Sequence, residues 1–233
     1  MTQNVSAQDA RSAPDSNPVS WQAQDDVLLI TINNPPVNAL GHAVRVGLIA
    51  AIDALEADGS VVGAVLTGGG RAFVAGADIT EFGKPIAEPG LNEVIDRIEG
   101  ASKPVVAAVN GFALGGGLEL TLGCRARIAH PKARVGFPEV HLGVIPGAGG
   151  TQRMPRLAGV EIAVELSTTG KPISAARALS AGIVEAVDED CVAAAVVRAR
   201  ELATAGAWTR LCAMPAPSAP EGYFDAAEAA IVA

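Results

Sequence analysis

Three short apolar runs, residues 27–32, 61–66 and 104–109, constrain this chain more than anything else in it. Each is rich in β-branched residues and stops at a cluster of Asn, Pro or Gly: Asn33-Asn34-Pro35-Pro36, Gly68-Gly69-Gly70 and Asn110-Gly111. Runs of this length with such punctuation read as buried strands. Apolar residues at helical spacing follow or intervene over 44–55, 91–98 and 118–122, and shorter extended pieces are expected at 73–75, 126–129 and 133–137. Beyond Gly149-Gly150 the spacing is helical over 152–157, 161–167, 175–179 and 190–202, with one short strand expected at 184–187. Strand–strand–helix units followed by helices define an α/β class.

With 233 residues, 49% of them hydrophobic, the chain can bury one sizeable core and has little room for a second. The first 20 residues, rich in Ser, Ala, Asp, Asn and Pro, are expected to be a disordered leader. The domain is expected over 21–212, and a short turn-rich tail over 213–233. Seventeen basic against 25 acidic side chains, with no block of Lys or Arg, exclude nucleic acid as a natural partner. No run of 18 apolar residues is present, so no membrane span is expected. Cys124, Cys191 and Cys212 lie far apart with neither disulfide-framework nor zinc-ligand spacing, which fits the cytoplasm. Charged residues at 18% are sparse for a monomer's surface and point to self-association.

Two glycine-rich turns, at Gly76 and at Gly115-Gly116-Gly117, each follow an extended run and are each followed by a carboxylate. Glycine lets backbone N–H groups approach a ligand closely. The second turn also opens a helix, whose first N–H groups lack partners and carry the positive end of the dipole. Such donors can stabilise negative charge on a carbonyl oxygen. Each feature alone has a plainer reading: glycine punctuates loops, Glu119 complements a helix dipole, and Glu139 after Pro138 is a solvated loop residue. His141, two residues after Glu139, would face the same way on an extended segment, so a Glu–His dyad stays open. No G-x-S-x-G elbow, phosphate-binding glycine fingerprint or metal-ligand spacing occurs.

Taken jointly, three segments resemble the signatures of the enoyl-CoA hydratase/isomerase (crotonase) superfamily. They are Phe73-Val74-Ala75-Gly76-Ala77-Asp78-Ile79, Ala113-Leu114-Gly115-Gly116-Gly117-Leu118-Glu119-Leu120, and the stretch from Phe137-Pro138-Glu139 to Gly149-Gly150-Thr151-Gln152-Arg153. Asn34-Pro35-Pro36-Val37-Asn38-Ala39-Leu40 and Ile79-Thr80-Glu81-Phe82-Gly83-Lys84-Pro85 look most like the hydratase/isomerase half of bifunctional β-oxidation enzymes. The likeness departs at Thr80, where relatives often carry a Lys near the CoA phosphates and where Lys84 is the alternative, and after Leu211, where the final helices are short.

The resemblance implies a spiral of ββα units followed by C-terminal helices. It implies an acyl-CoA thioester whose oxygen is held by the N–H groups of Ala77 and Gly116, with Glu119 and Glu139 as the catalytic pair. Val37, Ala39, Ala75, Asp78, Ile79, Gly115, Pro138 and Gly147 are implied to contact the substrate, Gly147 also placing the water. Hydration of trans-2-enoyl-CoA to 3-hydroxyacyl-CoA is the implied activity, with Δ3-Δ2 isomerisation beside it and no metal or redox cofactor. Implied partners are further copies of the chain, as a trimer or dimer of trimers, and a 3-hydroxyacyl-CoA dehydrogenase. A dedicated isomerase and a non-catalytic acyl-CoA-binding subunit are the alternative expectations.

Overall fold

A computed structural model of the chain describes residues 17–81, 83–85 and 87–232. The expected leader falls mainly outside the described residues. Its last two residues are ordered, because β1 (Val19–Gln24) begins at Val19 and pairs antiparallel with β2 (Val27–Ile32). β1 alternates buried and exposed positions at its start, as an edge strand on a covered sheet should.

From β2 the pairing turns parallel. β3 (Gly63–Gly68), β5 (Val105–Val109), β7 (Ala126–Ala129) and β10 (Ala186–Val187) complete a six-stranded sheet in the order β1-β2-β3-β5-β7-β10. All residues of β3, β5 and β7 are buried. Both faces of this sheet are therefore covered, which is why its strands read as uninterrupted apolar runs. Val27, Val65 and Val106 face α7 (Cys191–Ala205), while Ala64, Leu66 and Val105 join the main core with α1 (His42–Ala57) and α2 (Leu91–Gly100).

A second sheet has the order β4-β6-β8-β9, formed by β4 (Ala72–Val74), β6 (Phe112–Leu114), β8 (Arg134–Gly136) and β9 (Ile173–Ser174). Each pass of the chain thus lays one strand in each sheet and then a helix. β3 and β4 lead to α2, and β5 and β6 to α3 (Gly116–Gly123). This is the ββα spiral. Its consequence for the site is direct: β4 and β6 are parallel neighbours, so the glycine turns leaving their C-terminal ends lie side by side. The remaining helices are α4 (Gly150–Ala158), α5 (Val160–Thr169), α6 (Ala175–Ser180) and α8 (Tyr223–Val232). α8 is a ten-residue helix inside the stretch expected to be a short turn-rich tail.

The turn after β2 is stitched to β4 by one buried side chain. Asn38 is 2% exposed and has φ +57°, a left-handed conformation that Asn tolerates better than most residues. Its Nδ2 donates to the carbonyl oxygens of Gly69 (3.0 Å), Ala72 (2.8 Å) and Phe73 (3.2 Å), and its Oδ1 accepts from Asn34 N–H at 2.9 Å. On either side, Ala75 N–H donates to Val37 O and Leu40 N–H to Gly76 O, both at 3.0 Å. Asn38→Ala leaves buried carbonyls without donors and puts an Ala in the left-handed region, where it fits less well than Asn, a loss of about 2–4 kcal/mol. Calorimetry should show Tm falling by roughly 2–4 °C per kcal/mol; an unchanged Tm would remove Asn38 as the stitch.

Candidate active site

Gly116 opens α3, and its N–H has no helical partner there. A Cβ built on Gly116 would lie 3.6 Å from Ala77 N, so the two backbone nitrogens are close neighbours across the junction of β4 and β6. Neither N–H has a backbone acceptor among the described residues. Leu40 bridges to Ala77 in parallel fashion, which uses Leu40 N–H and Gly76 O and leaves Ala77 N–H free to face a ligand. Two fixed, unpartnered donors side by side can hold an oxygen that gains negative charge.

One turn further along α3 stands Glu119, 3% exposed. Its Oε1 accepts from Ala148 N–H at 2.7 Å and from Gly150 N–H at 2.8 Å. Gly150 is the first residue of α4, so the carboxylate caps that helix's N-terminus. Burial pushes the Glu119 carboxyl up, while the N–H groups of Gly150 and Ala148, and Arg153 behind them, pull it back. The approach is close: a Cβ at Gly150 would stand 2.9 Å from Glu119 Oε1 and from Phe137 Cζ.

Glu139 comes from the opposite side, on the 3-10 turn Pro138–Leu142 that follows β8. Its Oε2 is buried with no hydrogen-bond partner among the described residues. Burial pushes its carboxyl up to about 7, opposed by its own backbone N–H and reinforced by the negative charge of Glu119. A Cβ at Gly115 would stand 2.9 Å from Glu139 Oε1, and φ there is +53°, so glycine is required twice over. One carboxylate is thus held by donors, and the other is left bare and easily protonated. Surroundings that make a pair of acids differ in this way suit general acid–base work.

Both acids line a cavity of about 780 Å3, together with Ala77, Gly116, Leu91 and Ile145. Ala75, Gly115, Pro138 and Gly147 line it as well, whereas Val37, Ala39 and Asp78 do not; Ile79 starts the 3-10 turn Ile79–Glu81 beyond Asp78. Asp78 instead accepts from Thr80 N–H at 2.9 Å, and that bond holds its carboxyl below the usual range, helped by Lys84 and Arg45. The wall formed by Glu88, Gly90 and Leu91 is clamped from α1 by the buried Arg45. This side chain donates to the carbonyl oxygens of Pro89 (2.7 Å), Leu40 (2.9 Å) and Ala87 (3.1 Å) and to Glu81 Oε2 (2.7 Å). Among the described residues, no group of three or more His, Cys, Asp or Glu is placed to hold a metal ion.

A family model described as enoyl-CoA hydratase/isomerase matches residues 22–214. The chain belongs to that family. Among its relatives is a protein named peroxisomal bifunctional enzyme from Danio rerio, 46% identical over 205 residues that cover 86% of this chain and 29% of the relative. Another, named probable enoyl-CoA hydratase, from Bacillus subtilis, is 44% identical over 176 residues, 72% of this chain and 68% of the relative. A solved enoyl-CoA hydratase from Mycobacterium tuberculosis superposes with a TM-score of 0.74 at 37% identity, over 80% of this chain and 75% of that one. The chain therefore spans less than a third of the Danio rerio enzyme's length.

For this enoyl-CoA hydratase/isomerase family member, the structure closes one alternative that the sequence leaves open and adds one contact that the sequence does not show. The Glu139–His141 dyad does not form. The segment is a 3-10 turn, on which residues two apart point in different directions, and the His141 ring packs over Gly170 instead. The Ala148 and Gly150 N–H groups, which hold Glu119, have no side-chain signature in the sequence. No helix among the described residues is long and apolar enough to cross a membrane. Because folding raises the Glu139 pKa, its charged form is disfavoured in the folded state, and stability is lost as pH rises from the ordinary carboxylate range to about 7. Carbon-13 NMR of labelled Glu side chains should show one carboxyl titrating near 7 that vanishes in Glu139→Gln, and the Tm advantage of that variant should widen as pH rises. A Glu139 carboxyl titrating in the ordinary range would contradict this account of its surroundings.

Proposed function

We propose that this chain adds water to trans-2-enoyl-CoA, giving 3-hydroxyacyl-CoA in fatty-acid β-oxidation, with Δ3-Δ2 isomerisation as a side activity. The observation that carries the reading is the pairing of a donor-held Glu119 with a bare Glu139 across a cavity that also presents two free N–H groups. Glu119, ionised, takes a proton from water as its oxygen bonds to C3. The C2–C3 π electrons move toward the thioester, and the Ala77 and Gly116 N–H groups hold the resulting enolate oxygen. Protonated Glu139 then delivers its proton to C2 as the carbonyl reforms, and the two acids return to their starting states by exchange with solvent. An N–H donor at such an oxygen is worth about 10²–10³ in rate, and acid–base assistance a further 10²–10⁴.

Gly147, beside Ala148 on the cavity wall, is suited to place the water, and Ala75, Gly115 and Pro138 to contact the acyl group. Val37, Ala39 and Asp78, which lie outside the cavity lining, and Ile79 next in the chain suit the CoA end, with Lys84 near Asp78 as a cation for its phosphates. This chemistry draws on no metal or redox cofactor; CoA enters with the substrate. The product is a secondary alcohol, so a 3-hydroxyacyl-CoA dehydrogenase is the natural partner, in keeping with relatives named bifunctional enzymes. The three free thiols suit a reducing compartment such as the cytoplasm, and several relatives are named for the peroxisome.

On the cavity's own rim, Leu142 and Ile145 are 62% and 69% exposed, an apolar edge that self-association would cover. We expect light scattering at micromolar concentration to give a trimer or dimer of trimers of the 23.5 kDa chain, and a monomer alone would refute it. For the chemistry, Glu119→Gln keeps shape but removes the base, so crotonyl-CoA hydration should fall by about 10²–10⁴ while a fraction of any 3-enoyl-CoA isomerisation persists. Glu139→Gln should depress both, and the double variant should be little worse than the poorer single one. Full hydration by Glu139→Gln would overturn its assignment as the acid.

A further inference from the structure

Arg153 has no role in the chemistry just described, yet it is 6% exposed, one turn inside α4. Its Nε and Nη2 donate to Glu99 Oε2 at 3.0 and 2.8 Å, and Nη2 donates also to Asp96 Oδ1 at 2.7 Å. Its Nη1 reaches Ala148 O at 3.3 Å and lies where a Cβ of Gly149 would be, so residue 149 must be glycine, with φ +89°. The guanidinium therefore fills the space between α2 and the turn that carries both N–H donors to Glu119. Glu99 is itself 3% exposed. A buried ion pair of this kind is seldom the most stable way to join two helices, since an apolar pair of similar volume does as well or better. Joining α2 to α4 is therefore a weak reason for its presence.

We propose that Arg153 is a positioning residue for the catalytic base: it fixes the 148–150 turn so that both N–H donors meet Glu119, and it supplies the positive charge behind that carboxylate. The inference rests on the reading of Glu119 as the base. Among the described residues, the charges that act on Glu119 are Glu139 from the 3-10 turn and Arg153 from α4, and Arg153 is in turn paired with Asp96 and Glu99 from α2. Burial raises the Glu119 carboxyl, and the Gly150 and Ala148 N–H groups and Arg153 lower it. Loss of Arg153 withdraws its charge and loosens the two donors. Glu119 then holds its proton to higher pH, and the acid limb of the rate profile moves upward.

The experiment is the pH profile of kcat/KM for crotonyl-CoA hydration, whose limbs report the free enzyme's coupled acid pair. Arg153→Met alone leaves Glu99 buried without its counter-ion, held by the Cys212 N–H at 2.9 Å, which can unfold the chain. Arg153→Met with Glu99→Gln removes both charges and is the second variant, and Arg153→Lys the third. The expected result is an acid limb displaced upward by about one pH unit, the lower end of what an opposite charge does to a carboxylate, with Arg153→Lys in between. A limb that stays at its wild-type position in any folded variant, whatever the rate, overturns the proposal. Failure of all three variants to fold would make Arg153 structural and overturn it equally. Glu119→Gln is measured alongside. If it hydrates at the full rate, the base assignment fails and this inference with it; if it is slow while the limb stays put, only the role of Arg153 is lost.

Discussion

The buried carboxylate of Glu119, with one oxygen on two backbone N–H groups, is the contact on which the rest of the site depends. A charge at 3% exposure is tolerated only with strong local compensation. Here it comes from the N-terminus of α4, where Ala148 and Gly150 offer N–H groups that the helix itself cannot use. α3 and α4 must therefore meet end to side, and the contact admits no side chain at residue 150. The Ala148 and Gly150 N–H groups are spent on Glu119, while Glu139 Oε2 has no hydrogen-bond partner among the described residues, and the two acids diverge in character.

Much of this is legible in the sequence. The strands of the six-stranded sheet with apolar residues on both faces stand out as continuous runs, and β2 is found at its expected bounds. β1 is hidden by its alternation in Val19-Ser20-Trp21-Gln22, which a Ser- and Pro-rich leader masks. β6 and β9, three and two residues long, are too short to show periodicity and exist because parallel or antiparallel neighbours supply their partners. The acids and oxyanion glycines can be named because glycine and glutamate leave letters in the sequence. Backbone donors leave none: any residue but proline could offer the N–H of Ala148. Ion pairs such as Arg153 with Glu99, 54 positions apart, become visible only when α2 and α4 are in place.

The two sides of the cavity are supported differently. Asn38 and the strand pairing hold the oxyanion side through main-chain contacts between β2 and β4, a rigid junction with little room for change. The opposite wall, from Glu88 to Leu91, rests on Arg45, and three of that side chain's four acceptors are carbonyl oxygens of the main chain. An anchor of this sort is indifferent to the letters it holds. Substitutions along 87–91 can reshape what the cavity admits without loosening the grip, so this wall is where descendants of the chain can drift toward new acyl groups while the chemistry opposite stays as it is.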